Sequence, residues 1–127
     1  MQQINFTGIV VPGKSEGSFF INLDWVRNQI HEKLKFIAYP GTLNLIIKES
    51  KKIRVLLKKS QYLKIVPEEG FCEGIVIPAL ISSQKCAIII PKVKDYPKNM
   101  IELISPINLR DKLLIKDGDK VTVTFFT

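Results

Sequence analysis

In the heptad YPGTLNL, residues 39–45, Thr42 and Asn44 flank Leu43 directly after a Pro40-Gly41 turn signal. The alternation is that of a strand, which sets Thr42 and Asn44 on one face and Leu43 and Leu45 on the other. Two neutral oxygen donors side by side suit a hard cation that keeps its charge for phosphate. Mg²⁺ favours oxygen and shares its shell with waters and substrate phosphates. From spacing alone, the solvent face of an ordinary strand is the simpler reading, because Thr and Asn are common exposed residues.

A second stretch, GIVVPGKS at 8–15, fits the phosphate-loop formula Gly-x-x-x-x-Gly-Lys-Ser. That formula needs a strand before its first Gly and a helix opening at its Lys. Here Ile9-Val10-Val11-Pro12 reads as strand, and so does Glu16-Gly17-Ser18-Phe19-Phe20-Ile21. No later apolar strand ends in an obvious magnesium-binding Asp. The expected arrangement is therefore a Gly13–Gly17 turn between two strands, able to meet phosphate through its backbone but not a nucleotide-hydrolase loop.

Other reactive types offer less. His31 falls on the polar side of an apolar stripe and reads as surface. Cys72 and Cys86 lack paired spacing and read as small core residues in a reducing cytoplasm. Trp25 and the Phe19-Phe20 pair read as core. Of the net charge of +7, the segment from Lys48 to Lys64 carries +6. Tyr62 is its one aromatic, so it lacks the stacking platforms of single-strand binders. It reads as a solvated basic face that steers anions at long range.

These groups need a frame. The 127 residues, 46% hydrophobic and 24% charged, suit a single domain over residues 1–127. The start shows no signal peptide and no apolar run is long enough to span a bilayer, so a cytoplasmic location is expected; a monomer is the expected state. Period-two and β-branched runs predict strands at 4–11, 18–23, 42–47, 54–57, 62–66, 72–77, 86–90, 101–104 and 120–126. Val26, Ile30 and Leu34 predict one helix, capped by Asn22 or Asp24. Ser105-Pro106 predicts a second over 107–114, and Lys116-Asp117-Gly118-Asp119 a tight turn. Many short strands and one or two short helices imply a mainly β fold, a small closed or partly closed barrel.

The ordered landmarks Gly8-Ile9-Val10, GKSEGSFF, YPGTLNL, IVIPALI at 75–81, AIIIP at 87–91 and IELISPINLRDKLLIKDGDKVTV at 101–123 resemble the archaeal CTP-dependent riboflavin kinases over nearly the whole chain. The resemblance implies a six-stranded closed barrel. It implies Mg²⁺ on Thr42 and Asn44, and a nucleotide wrapped by Gly13, Lys14, Ser15, Glu16, Gly17 and Ser18. A second nucleotide segment would be Ile107, Asn108, Leu109 and Arg110, with Glu102 on the flavin side. It also implies CTP as phosphoryl donor, riboflavin as acceptor, and FMN and CDP as products. Lys14 or Arg110 would offset developing charge, and Glu102 would orient the acceptor hydroxyl or take its proton.

The chain departs from the family pattern at Ser15 and Ser18, where a glycine and a basic residue are usual. It departs again at Lys94-Asp95-Tyr96, where the family carries Thr-x-His and its Thr meets the flavin phosphate. Lys94 would there replace a hydroxyl with a point charge. The winged-helix domain that precedes some members is not expected. Rival readings are a CTP-dependent kinase of another hydroxylated acceptor, a flavin or nucleotide sensor that kept the fold, and a nucleic-acid-binding barrel using the basic run. No specific nucleic-acid partner is expected.

Overall fold

The computed structural model describes residues 2–13, 16–60, 62–68, 73–92 and 96–127, apart from the side chains of 16–18. Among them are strands β1 (Gln3–Val11), β2 (Leu43–Ile47), β3 (Leu63–Ile65), β4 (Gly74–Ile81), β5 (Gln84–Pro91), β6 (Met100–Ile104) and β7 (Lys120–Phe126). The helices are α1 (Glu16–Ile21), α2 (Asp24–Leu34), α3 (Ser50–Lys59) and α4 (Leu109–Leu113). Every ladder is antiparallel.

Closure comes from β4, which gives one whole edge to β5 and divides the other. Gly74–Val76 pair with β3, while Ala79–Ile81 pair with β7. The ring therefore runs β4-β5-β6-β2-β1-β7 and back to β4, a six-stranded barrel with β3 added outside. Closure removes the exposed edges that an open sheet would offer to other chains.

Alternation then sorts side chains into two cores. Inward-facing Leu43, Leu45, Ile88, Leu103, Val123 and Phe125 fill the barrel. Helix α3 contributes Ile53 and Leu57 to this filling, and α4 contributes Leu109, so the two helices close its ends. The outward residues of β4–β6, Val76, Ala87, Ile89 and Ile104, form a second core with Phe20 and Ile21 of α1 and Val26, Ile30 and Leu34 of α2. An outer barrel face covered in this way can bury polar groups as deeply as the interior does.

Two predicted strands are helices. Residues 18–23 fall largely in α1, and 54–57 in α3. Both windows are apolar and too short to fix a period, but Ile53 and Leu57 lie four apart on one face. Four helices stand where one or two were expected, among the described residues. A helix does follow the phosphate-loop match. The formula still fails, because Gly8 lies mid-strand in antiparallel pairing with Ile47 and Val121.

The caps differ as well. Leu23 occupies the N-cap of α2 without a side-chain bond, while Asn22 accepts from Arg27 (3.2 Å) and donates to the Pro40 carbonyl (3.3 Å). For α4 the cap is Asn108, not Ser105. Phe20 is core and Phe19 is 66% exposed, and Trp25 stands edge-on to Phe20 with centroids 5.9 Å apart. Burial pushes the Cys86 thiol up to about 12, which leaves it an inert core group. Cys72 lies outside the described residues. No helix among the described residues is long and apolar enough to cross a membrane.

Leu114 ends α4 in the left-handed region (φ 54°) and is 88% exposed. That conformation costs a Cβ-bearing residue on the order of 1 kcal/mol, and glycine avoids it. Leu114→Gly is therefore expected to raise the melting temperature by about 2–5 °C, because little packing is lost. A fall in melting temperature would show that the exposed side chain stabilises the fold.

Candidate active site

The register places Asn44 of β2 opposite Val11 of β1 on one side and Glu102 of β6 on the other. Because Leu43 and Leu45 point inward, Asn44 points out, and Glu102 does so by the same rule. Neither is solvent-facing. Asn44 is 3% exposed and Glu102 only 1%, against the sequence expectation of an open strand face.

Glu102 accepts hydrogen bonds from two hydroxyls. Thr42 Oγ1 donates to Oε1 at 3.0 Å, and Tyr96 OH donates to Oε2 in a short contact. Asn44 Nδ2 turns back to Thr42, 3.3 Å from Oγ1 and 3.4 Å from the main-chain oxygen. Its Oδ1 is buried with no hydrogen-bond partner among the described residues. A buried acceptor left unmet costs on the order of 1–3 kcal/mol, so its retention points to a ligand.

Gly13 sits against this group. A Cβ there would lie 2.5 Å from Asn44 Nδ2 and 3.2 Å from its Cγ. The glycine is thus required for close approach, bringing the loop backbone onto the Asn44 amide. Lys14 and Ser15 lie outside the described residues, as does Lys94, and the side chains of Glu16 and Ser18 are likewise outside.

Could these residues hold Mg²⁺? Among the described residues no group of three His, Cys, Asp or Glu clusters in the way a carboxylate- or thiol-rich site would. What is present is one orphaned amide oxygen, a neighbouring hydroxyl and a buried carboxylate, all hard oxygen donors. This set fits a cation that takes few protein ligands and completes its shell with water and phosphate. Asn44 and Thr42 would hold it, with Glu102 behind Thr42.

Next to Thr42 a cavity of about 130 Å³ opens at the barrel end closed by α4. The segment Ile107–Arg110 and the turn at 39–42 line it, so both come beside Thr42. Arg110 is already committed: Nη2 donates to Asp117 Oδ1 at 2.7 Å and to the Val11 carbonyl at 3.3 Å. It ties α4 to the end of β1 and to the 116–119 turn. The sequence alone does not point to Tyr39 as a cavity-lining residue or to Tyr96 as a partner of Glu102. The second carried a signal, since it stands where the family has His, two residues past the Thr position.

A closed barrel whose outer face buries a carboxylate, a hydroxyl and an unmet amide oxygen beneath a glycine-containing loop defines a nucleotide-site candidate. The model of the CTP-dep_RFKase family, described as Domain of unknown function DUF120, matches residues 10–125. The chain belongs to this CTP-dependent riboflavin kinase family. It is similar to a riboflavin kinase of Methanosarcina barkeri, 37% identical over 94% of this chain and 56% of that protein. It is also similar to riboflavin kinases of Ignicoccus hospitalis (38%; 97% of this chain, 72% of that one) and Saccharolobus solfataricus (37%; 99% and 76%). The chain thus spans between about half and three quarters of the length of these relatives.

Glutamine in place of Glu102 offers one acceptor where two hydroxyls need one each. Glu102→Gln should cost about 1–3 kcal/mol of stability in urea unfolding. Adding Tyr96→Phe, which removes one of the hydroxyls, should recover part of the loss. An unchanged urea midpoint for Glu102→Gln would contradict the buried network.

Proposed function

We propose that this chain is a riboflavin kinase that moves the γ-phosphoryl of CTP to the primary hydroxyl of the ribityl chain, giving FMN and CDP. The observation that carries it is the orphaned, buried Asn44 Oδ1 beside Thr42 and Glu102, with Gly13 pressed against the same amide. The family membership supports the reaction, and the named relatives support the acceptor.

Phosphoryl transfer asks a protein chiefly for positioning and for neutralising charge on the phosphate oxygens. Bound at Asn44 and Thr42, Mg²⁺ would supply that neutralisation. The chain's own residues do the rest. The Gly13 backbone brings the loop to the phosphates, where main-chain N–H groups can bind them. Arg110 fixes the end of β1 and hence the start of the loop. Glu102, held by Thr42 and Tyr96, would orient the acceptor hydroxyl or take its proton once ligand binding opens a path to it. Nearly complete burial keeps water, a competing acceptor, away from the carboxylate.

The second reading, a kinase of another hydroxylated acceptor, draws on Tyr96. Tyr96 stands at the sequence position where the family pattern has a histidine, and its hydroxyl donates to Glu102 Oε2, so the chemistry beside Glu102 differs.

A screen of the four nucleoside triphosphates with Mg²⁺ and riboflavin is expected to give FMN with CTP preferred. Cytosine's N4 donor beside N3 and O2 acceptors is a pattern that a hydrogen-bonding site rejects in other bases. Equal turnover with ATP would refute that donor, and CTP consumption without flavin binding would favour the second reading. Thr42→Val and Asn44→Leu should each lower turnover on the order of 10²-fold. Asn44→Leu removes an unmet acceptor, so ligand-free melting temperature should hold or rise. Near-normal turnover in either folded variant would refute the metal assignment.

A further inference from the structure

The cavity beside Thr42 contains a hydrogen bond whose direction is fixed by its neighbours. Asn108 caps α4, and its Oδ1 accepts from the Asp111 main-chain N–H at 3.3 Å. Because a main-chain N–H only donates, the oxygen must face it, and Nδ2 must face the other way. That nitrogen donates to Tyr39 OH at 3.1 Å. The Tyr39 hydroxyl is therefore the acceptor in this pair, and its one proton has no acceptor among the described residues.

Tyr39 is also held rigidly. Its N–H donates to the Ser105 carbonyl (2.8 Å), its carbonyl accepts from Gly41 N–H (2.9 Å), and a Cβ on Gly41 would lie 3.2 Å from the ring. Tyr39 lines the cavity together with Ile107 and Leu109 and is 40% exposed. Of the other hydroxyls on the wall, Ser105 spends its proton on the Lys85 carbonyl at 2.9 Å and Thr42 on Glu102 at 3.0 Å. A cavity that sets a tyrosine ring and the apolar Leu43, Leu103, Ile107 and Leu109 beside an aimed hydroxyl donor suits a flat heterocycle with an acceptor edge.

We propose that Tyr39 is a nucleotide-binding residue, its hydroxyl donating to an acceptor on the nucleoside half of the phosphoryl donor, with Asn108 setting the direction of that bond. This rests on the kinase reading above. Cytosine presents O2 and N3 side by side as acceptors, and Thr42 lies at the phosphate end of the same cavity.

The test is steady-state kinetics of the full chain with riboflavin and Mg²⁺. Tyr39→Phe keeps the wall and removes the donor. It should raise KM for CTP about tenfold, leave kcat within about twofold and leave the riboflavin KM unchanged. Inhibition by CDP should weaken to the same degree, while inhibition by pyrophosphate, which has no nucleoside, should not change. Asn108→Asp keeps an N-cap acceptor but turns a carboxylate toward Tyr39, so the hydroxyl now donates inward. It should reproduce the Tyr39→Phe effect and add nothing in the double variant.

A Tyr39→Phe enzyme indistinguishable from wild type overturns the proposal while the kinase reading stands. A change in the riboflavin KM instead of the CTP KM overturns it too. If Asn108→Asp still weakens CTP in the Tyr39→Phe background, charge repulsion and not bond direction is the cause. Absence of turnover by the wild type would overturn the kinase reading itself.

Discussion

A carboxylate at 1% exposure on the outer face of a barrel strand sets the terms for everything around it. Withdrawn from water, Glu102 must be met by donors, because an unmet buried charge costs several kcal/mol. Thr42 and Tyr96 meet it. Thr42 is thereby fixed at the start of β2, and Tyr96 is drawn in just before β6. The cross-strand partner of Glu102 is Asn44, whose amide in turn dictates glycine at position 13. Three segments far apart in sequence, at 13, 42–44 and 96–102, meet around one buried carboxylate.

The barrel makes this burial possible. Closing the ring through β4 and β7 commits one face of every strand to the interior. The outward face of β4–β6 then becomes a second core once α1 and α2 cover it. Glu102 lies between Met100 and Ile104 on that outer face, at the margin of this second core. Helix α4 closes one end of the barrel and ties to β1 through Arg110 and Asp117. The outer cluster, with an acceptor left unmet, is better explained by a ligand than by stability.

The alternation Thr42-Leu43-Asn44-Leu45 was readable in sequence because a strand's period of two is exact, and six of the strand windows overlap the ring strands for the same reason. The segments at 18–23 and 54–57 were misread because four to six apolar residues satisfy either period. Extending the second to Ser50 brings in the lysines that flank Ile53 and Leu57 and recovers the helix. Burial of Asn44 and Glu102 had no local signature, since it depends on helices packed across the sheet. Tyr96 appeared only as a departure from a pattern, with nothing nearby in sequence to pair it with Glu102. The direction of the Tyr39 bond is a property of three residues from two segments, and no linear motif encodes it.

In the proposed function the unmet oxygen of Asn44 is a cation ligand that works together with nucleotide. Electron paramagnetic resonance titration of Mn²⁺, standing in for Mg²⁺, against the full chain with and without CDP addresses this directly. The expected result is Mn²⁺ bound to the wild type in the presence of CDP and lost in Asn44→Leu at undiminished melting temperature. Equal CDP-dependent Mn²⁺ binding by the wild type and the folded variant would contradict the account.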